Sequence, residues 1–180
     1  MSSNPLVFLI TTLANLYLLI VLLRLILQLI RADFYNPISQ GVVKATNVFV
    51  MPLRRILPSI GRVDTASVVL ALAVQFLTVF AFAFLTGQSA SLILYIQYTV
   101  LGVIYHLFDL YFWAMIISII LSWVAPTANH PGALIVWQIT EPLYSFFRRF
   151  IPSFGGLDIS PIFIMMGIYL VQNMLKPYAI

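Results

Sequence analysis

The chain alternates between long apolar runs and short polar interruptions. A helix needs about 20 mostly apolar residues to cross a hydrocarbon core of about 30 Å. On this criterion the sequence predicts four membrane-spanning helices, at Leu6–Ile30, Thr65–Thr86, Val100–Val124 and Ile159–Leu175. The apolar run of the third span already begins at Leu92, so we expect Leu92–Thr99 to form an extension, a lead-in or an interfacial turn.

Two segments between the spans are neither continuous membrane core nor ordinary loops. Pro37–Leu57 mixes apolar residues at three- and four-residue steps with basic ones, and Pro131–Ile151 repeats this mixture with more aromatic residues. Such a mixture is typical of a helix lying in the plane of the membrane surface. We therefore expect an interfacial amphipathic helix in each segment, since lipid-exposed irregular backbone is not tolerated at depth. In the second segment, a re-entrant form is the alternative, because Leu134–Trp137 is an unbroken apolar run.

A polar motif overlaps the end of each of these two segments. Residues 54–64 read RRILPSIGRVD, and residues 148–158, 94 positions later, read RRFIPSFGGLD. Apolar runs flank both copies, so the chain reads as one unit written twice, at 1–91 and 92–180. The shared positions are Arg54, Arg55, Pro58, Gly61 and Asp64 in the first copy, and Arg148, Arg149, Pro152, Gly155 and Asp158 in the second.

Each residue type of the repeated motif has a structural duty. The proline would end the interfacial helix, and the glycine would permit a turn with positive φ. The aspartate would cap the next span by accepting from its free amide groups. The arginine pair could reach either that aspartate or a lipid phosphate. The motif is therefore either a turn and anchor, or a paired cytoplasmic surface for an acidic partner or anionic lipid head groups.

The distribution of basic residues predicts the topology. The first segment between spans carries five Lys and Arg residues and the second carries Arg148 and Arg149, whereas the turn at Gly87–Ser91 carries none. Basic residues collect on cytoplasmic loops, so both Arg-Arg segments are expected in the cytoplasm and both termini outside. A unit of two spans returns the chain to its starting side. We therefore expect two parallel repeats, related by a pseudo-twofold axis along the membrane normal.

Polar side chains inside the predicted spans are costly in lipid and are candidates for function. His106 and Asp109 lie three residues apart on one helical face, within pairing reach. Arg24 is expected to extend to the cytoplasmic interface. These residues could form an ion or proton path, or interhelical hydrogen bonds that hold a four-helix bundle together. The intramembrane candidates are Asn15, Arg24, Gln28, Gln75, His106 and Asp109, with Thr12 and Asn15 at positions equivalent to His106 and Asp109.

Composition supports the membrane class and excludes several others. The chain is 62% hydrophobic and only 8% charged, with a mean hydropathy of +1.06, whereas soluble domains are about 25% charged. A net charge of +4 fits basic cytoplasmic loops better than nucleic-acid binding. The absence of cysteine excludes disulfides, thiolate metal sites and cysteine nucleophiles. The N-terminus has no basic region before its apolar run, so the first span is expected to remain as a membrane helix.

Catalytic arrangements in the sequence are weak. The two histidines are expected on opposite sides of the membrane, which disfavours a histidine-based metal site within one chain. Glu141 has no second carboxylate in its segment, and Ser59 and Ser153 have no nearby base. We therefore expect no enzymatic activity, no metal site and no cofactor.

The doubled pattern Thr-x7-Arg-Arg-x2-Pro-Ser-x-Gly-x2-Asp, with Asn36-Pro37 before its first copy, resembles the bacterial YggT family and its YlmG-type relatives. The resemblance covers nearly the whole chain. The copies differ upstream, because the charged Arg31 and Asp33 have uncharged counterparts in Ala125 and Thr127. Any role of this upstream stretch is therefore not expected to be symmetric.

The resemblance implies a multi-pass protein of the bacterial inner membrane with no established enzymatic activity. Relatives are linked to osmotic and potassium tolerance, to cell division and to cofactor assembly in plastids. The favoured hypothesis is a scaffold or assembly factor in envelope or osmotic and ion homeostasis. Its expected partners are anionic lipid head groups at the arginine pairs and either a membrane protein or a second copy of the chain. The alternative is a channel or transport component for K⁺, Na⁺ or H⁺.

Overall fold

The structure, a computed structural model, describes residues 5–151 and 158–179. These residues form no β-strand, and the predicted all-α class is confirmed. The helices are α1 (Pro5–Leu29), α2 (Pro37–Arg54), α3 (Thr65–Thr86), α4 (Leu92–Val124), α5 (Pro131–Phe147) and α6 (Ser160–Leu175), followed by a 3-10 turn at Lys176–Tyr178.

Three of the described helices are long and apolar enough to cross a membrane, namely α1, α3 and α4. The fourth predicted span corresponds to α6, which has 16 residues. At a rise of 1.5 Å per residue this helix is about 24 Å long, shorter than a typical hydrocarbon core. Three spans are therefore supported by length, and the fourth stays a prediction. α4 is continuous over 33 residues, so Leu92–Thr99 is a helical extension of the third span.

α2 and α5 begin at equivalent positions and their starting points meet. Asn36 precedes α2, and its Oδ1 accepts from the amide of Ile38 at 2.9 Å. The Nδ2 of the same side chain donates to the carbonyl of Pro131, at the start of α5, at 2.9 Å. His130 takes the equivalent position before α5, where its Nδ1 accepts from the amide of Gly132 at 3.2 Å. One side chain thus caps α2 and ties it to α5.

Both segments that were predicted to be interfacial are helical, and they form the most amphipathic helices described. They end earlier than the sequence predicts, at Arg54 and Phe147. The expectation that Pro58 ends α2 is wrong, because the chain has already left the helix. The amides of Ile56 and Leu57 both turn back to the carbonyl of Leu53, at 3.0 and 2.8 Å.

The turn before α3 contains the glycine expected there. Two backbone hydrogen bonds between Ile60 and Val63, of 3.1 and 3.0 Å, close this turn. Gly61 lies inside it with a φ of 62°, which confirms the predicted positive φ. Its counterpart Gly155 and the preceding Pro152 lie outside the described residues.

Packing follows the same pattern in both halves of the chain. α1 contacts α2 and α3, and α4 contacts α5 and α6. Equivalent helices also contact one another, α1 with α4 and α2 with α5. The larger apolar core surrounds the second half of α1, where Leu18, Val21, Leu22 and Ile26 are buried. A smaller core joins α4, α5 and α6 through Met115, Tyr144, Ile164 and Ile168.

Candidate functional site

A buried ionic cluster joins the first three helices. Asp64, directly before α3, is fully buried. Arg54, at the end of α2, donates from Nε to Oδ1 of Asp64 at 3.2 Å and from Nη2 to Oδ2 at 2.7 Å. Ser67 donates its hydroxyl to Oδ2 at 2.6 Å. The Nε of Arg24, on α1, lies 3.7 Å from the same oxygen. One carboxylate therefore links α1, α2 and α3.

Asp64 occupies the N-cap position of α3 but does not cap it with its side chain. Its backbone carbonyl accepts from the amide of Val68 at 3.1 Å, whereas its carboxylate makes no capping hydrogen bond. The predicted cap is wrong here because the guanidinium groups and Ser67 occupy the carboxylate oxygens. Charged donors form stronger hydrogen bonds to a carboxylate than neutral amides do.

The pKa of Asp64 is set by two opposing effects. Burial by itself would raise the pKa of this carboxyl group, because desolvation disfavours the charged form. Hydrogen bonds from Arg54 and Ser67, together with the positive charges of Arg54 and Arg24, outweigh burial and hold the pKa below its ordinary value of 3.8. Asp64 is therefore ionised at neutral pH and serves as the counterion of the cluster.

Arg24 is buried within the helix bundle, with a relative exposure of 4%. Its Nη1 donates to the hydroxyl of Thr46 at 2.6 Å and to Oδ1 of Asn47 at 2.8 Å. The same nitrogen lies 3.3 Å from the carbonyl of Val43. α2 covers this side chain and supplies the acceptors that water would otherwise provide, whereas the reach of Arg24 to the level of the interface stays a prediction.

Gln28 lies one turn after Arg24 and belongs to the same cluster. Its Oε1 accepts from Nη2 of Arg54 at 2.8 Å. Arg54 is thus bound to α1 through Gln28 and to the start of α3 through Asp64. The first arginine of the first pair is an internal link between helices, which confirms that it reaches the aspartate of its motif.

The second repeat makes the equivalent contact in a more exposed setting. Arg148 donates from Nε to Oδ2 of Asp158 at 2.8 Å, and the two side chains are 52% and 32% exposed. Oδ1 of Asp158 accepts from the amide of Ser160 at 2.9 Å, so this carboxylate binds the first amide of α6 as expected, although the N-cap residue itself is Ile159. Burial acts to raise the pKa of Asp158, but the bonds from Ser160 and Arg148 lower it below 3.8.

Residue exchanges at equivalent positions make the two clusters different. Ser118 stands where the first repeat has Arg24, and Glu141 stands where it has Asn47. Nη1 of Arg148 lies 4.0 Å from Oε1 of Glu141, and its guanidinium carbon lies 5.0 Å from the centroid of the Tyr144 ring. The second cluster thus replaces a buried cation with an acid and an aromatic ring.

A cavity lies beside each cluster. The first, of about 700 Å³, lies between α1 and α2, and its charged lining residues are Arg24, Arg54 and Arg55. The second, of about 790 Å³, is bounded by α4, α5 and α6, and its charged lining residues are Glu141, Arg148 and Asp158. Equivalent places in the two repeats therefore carry different charge.

The second arginine of each pair is free of the clusters. Arg55 and Arg149 are exposed. Neither side chain makes an ion pair or a hydrogen bond with a residue that the structure describes. The two arginines of a pair thus have different surroundings, a difference that the sequence did not predict.

Polar residues of α1 and α4 line a third cavity, of about 330 Å³. Thr12 and Asn15 face it from α1, and His106 and Asp109 face it from α4. Thr12 and Asn15 are equivalent to His106 and Asp109 in the repeat, and all four side chains line the same cavity.

His106 and Asp109 do not pair with each other, although their spacing would allow it. Oδ1 of Asp109 instead accepts from Nε2 of Gln172, on α6, at 3.1 Å. Nε2 of His106 is buried without a hydrogen-bond partner among the described residues. The bond between Asp109 and Gln172 is an interhelical hydrogen bond of the kind expected in a helix bundle.

Gln75 is buried between α3 and α4, where its side chain abuts Gly102. Neither its Oε1 nor its Nε2 has a hydrogen-bond partner in the part of the chain that the structure describes. Thr78 donates to the carbonyl of Val74 in its own helix, at 2.8 Å. At these two positions the expected interhelical hydrogen bonds are not formed with described residues.

Sequence reasoning missed Ser67 and the contact between Arg24 and Asp64. A signal for the contact was available, because a basic residue within a membrane helix needs acidic or polar partners. Asp33 and Asp64 are the carboxylates next to the cytoplasmic ends of the first two spans in the predicted topology, so both were candidates for this partner. No comparable signal pointed to Ser67, which reads as an ordinary small helix residue.

Metal ligands do not gather in the described residues. No group of three or more His, Cys, Asp or Glu side chains within 5–151 and 158–179 could hold a metal ion. The chemistry of the described clusters is therefore that of guanidinium, carboxylate and amide groups.

A family model described as CCB3/YggT matches residues 3–85 and again residues 97–179. The two matches begin 94 residues apart, which is the offset of the repeated motif. The chain belongs to the CCB3/YggT family. The resemblance read from the doubled motif is therefore confirmed, and each half of the chain matches the family by itself.

Relatives in the family cover nearly the whole chain. An uncharacterized protein of Pseudomonas aeruginosa is 45% identical over 168 residues, which are 92% of this chain and 85% of the relative. A protein of Vibrio alginolyticus is 40% identical over 168 residues, covering 92% and 90%. YggT of Escherichia coli, also described as uncharacterized, is 34% identical over 172 residues, covering 94% and 88%. No solved structure matches the chain significantly.

Proposed function

We propose that this chain is a non-catalytic multi-pass protein of the bacterial inner membrane that acts as a scaffold or assembly factor in envelope or osmotic and ion homeostasis. The observation that carries this proposal is the different setting of the two arginines in each pair. Arg54 and Arg148 are bound to the aspartates of their own motifs. Arg55 and Arg149 are exposed and are left for contacts outside the chain.

The proposal places α1, α3, α4 and α6 across the membrane and α2 and α5 in its cytoplasmic surface. The distribution of charge supports this arrangement, because the exposed Lys44, Arg55 and Arg62 all lie between α1 and α3, and the turn at Gly87–Ser91 has no charge. A short span such as α6 is accommodated by local thinning of the bilayer. Two copies in the same orientation also agree with the contact between the starting points of α2 and α5.

The cytoplasmic surface, as we define it, consists of the exposed side chains on α2, α5 and the residues just after them. Val48, Phe49, Met51 and Phe146 are each more than half exposed, as is Phe150. An interfacial helix turns part of its apolar face to lipid, and protein interfaces are also enriched in aromatic residues, methionine and arginine. We infer that this surface receives a membrane protein or a second copy of the chain, with Arg55 and Arg149 at its edge.

Photo-crosslinking in cells tests this function. Crosslinking amino acids at Val48 and Phe146 report on the cytoplasmic surface, and one at the exposed Phe84 near the opposite turn serves as the control. We expect both cytoplasmic positions to capture the same protein, and capture to weaken when Arg55 and Arg149 are replaced by Gln. Crosslinks equally strong from Phe84, or none to protein from either cytoplasmic position, would refute the scaffold.

The arginines to change in this experiment are chosen from the structure. Arg54→Gln or Arg148→Gln would break contacts inside the fold. Loss of a partner would then report only a damaged protein. Arg55→Gln and Arg149→Gln remove positive charge from exposed positions without breaking a described bond, so their effect on capture reports on the surface itself.

An ion pathway is the second candidate, and the cavity between α1 and α4 favours it. Asn15, His106 and Asp109 bring polar groups from both repeats to one place inside the predicted membrane region. Flux of K⁺, Na⁺ or H⁺ through purified protein in liposomes tests this candidate. Asp109→Asn retains an oxygen that can accept from Gln172 while removing the charge, so it should abolish flux without unfolding the protein. Flux that is absent, or unchanged in this variant, counts against the pathway.

A further inference from the structure

The cavity of the first repeat differs from its counterpart in the sign of its charge. Arg24, Arg54 and Arg55 line the first cavity. Asp64 pairs with Arg24 and Arg54 and contributes one negative charge. The three arginines therefore leave an excess of two positive charges. In the second cavity the lining contains two carboxylates and one guanidinium group. Two equivalent places in a repeated fold are thus suited to opposite ligands.

The buried arginine gives the first cavity a fixed positive charge. Arg24 is held by Thr46 and Asn47, so its guanidinium group is pre-organised. Arg54 is likewise fixed by Asp64 and Gln28. Arginine presents several donors in a planar fork that suits phosphate oxygens, and a buried site strengthens this attraction. Arg55, which has no described partner, can turn toward a bound anion without giving up a contact.

The remaining walls of the first cavity are mostly apolar. Leu27 and Val42 line it, together with Phe34 and Met51, which are exposed on its outer side. A volume of about 700 Å³ is in the range of pockets that hold small organic ligands. Basic groups beside apolar walls fit a molecule that carries both a phosphate and a hydrocarbon chain.

We propose that the first-repeat cavity is a specific binding site for the phosphate group of an anionic lipid, and that the second-repeat cavity is not. The assignment of this phosphate to a lipid rests on the membrane placement proposed above, in which α2 lies at the level of the head groups. The phosphate lies among Arg24, Arg54 and Arg55, and the lipid's glycerol and first methylenes contact the apolar walls. The inference differs from a general attraction of basic loops to the membrane, since it assigns one site to one repeat.

Native mass spectrometry of the purified protein in neutral detergent tests this site. The protein is titrated in parallel with phosphatidylglycerol, with phosphatidylcholine and with inorganic phosphate. We expect one phosphatidylglycerol to bind with an affinity at least about tenfold above that of phosphatidylcholine, because the ammonium group of choline offsets the phosphate charge and is repelled by the positive excess of the cavity. Inorganic phosphate at equal concentration should not displace the lipid.

Matched variants of the two repeats locate the site. Asn47→Glu introduces the acid found at Glu141 and keeps an acceptor for Arg24, and Arg55→Gln removes an exposed charge. Each should weaken phosphatidylglycerol binding about tenfold, whereas Glu141→Gln and Arg149→Gln should leave it unchanged. Circular dichroism and a single elution peak verify that each variant is folded.

Three outcomes would overturn the inference. Equal binding of phosphatidylcholine, whose choline group offsets its phosphate charge, would show that the site does not select an anionic lipid. Displacement by inorganic phosphate would assign the site to a free anion instead of a lipid. Equal losses in the variants of both repeats would show general adsorption of lipid to a basic protein. None of these results depends on a protein partner, so failure of the crosslinking experiment and failure of this one are distinguishable.

Discussion

Asp64→Asn removes the central charge of the buried cluster and should be strongly destabilising. The carboxylate has no exposure and is the described counterion of Arg24, whose side chain is 5% exposed. Removing one partner of a buried ion pair leaves an uncompensated charge and costs about 3–5 kcal/mol. We therefore expect Asp64→Asn to lower the free energy of unfolding by about this amount.

Asp158→Asn is the matched control at the equivalent position. Its ion pair with Arg148 is partly exposed, and exposed pairs contribute about 0.2–1 kcal/mol. Asn retains an oxygen that can accept from the amide of Ser160, so the helix cap is preserved. The same chemical change should therefore cost less than about 1 kcal/mol in the second repeat.

Unfolding by sodium dodecyl sulfate in mixed micelles, followed by circular dichroism, measures both costs. The double variant Arg24→Met with Asp64→Asn should recover part of the loss, because it no longer leaves a buried charge alone. Residues in one network show coupling free energies of about 0.5–3 kcal/mol. Equal costs for Asp64→Asn and Asp158→Asn, or additive effects of Arg24→Met and Asp64→Asn, would refute the account of the cluster.

Further predictions concern acid stability, one turn and one buried amide, each measured by the same unfolding assay. Because the pKa values of Asp64 and Asp158 are lowered in the folded state, the stability they contribute is full well above pH 3.8. This stability is lost as the pH falls through the folded pKa values. In the Asp64→Asn variant the free energy of unfolding should therefore depend less on pH in this acidic range. Gly61→Ala should cost about 1–2 kcal/mol because of its positive φ. Gly41→Ala, in open space on α2, should instead stabilise the protein by about 0.5–1 kcal/mol. If both glycine substitutions stabilise the protein, or both destabilise it, this reasoning is contradicted. Gln75→Met should stabilise by about 1–2 kcal/mol, since it removes a buried amide without a described partner, and a loss of stability would reveal a partner.

The helices could be predicted from the sequence because they depend on local patterns. Apolar length predicted α1, α3 and α4, and the paired Asn-Pro and His-Pro steps mark the starts of α2 and α5. The repeat offset also placed Asn15 and Asp109 in equivalent positions, and the structure brings both to one cavity. The positive φ of Gly61 followed from the residue type, since glycine adopts it without steric cost.

The partners of the charged groups could not be predicted by the same means. Asp64 and Asp158 occupy identical places in the motif, yet only Asp158 caps a helix amide. The difference comes from Arg24, a residue distant in sequence that α1 brings to Asp64 and that the second repeat lacks. α2 covers Arg24 and supplies its hydrogen-bond acceptors, so the surroundings of this side chain depend on tertiary packing rather than on its position in the span.

The central claim is that both arginine clusters face the cytoplasm, from two copies of one unit in the same orientation. The chain has no cysteine, so single cysteines at the exposed Ser59, Ser89 and Ser145 report on sidedness without background. A membrane-impermeant maleimide applied to spheroplasts should label only the cysteine at Ser89, and those at Ser59 and Ser145 should react only after permeabilisation. Labelling of Ser59 and Ser145 from opposite sides of the membrane would contradict the account.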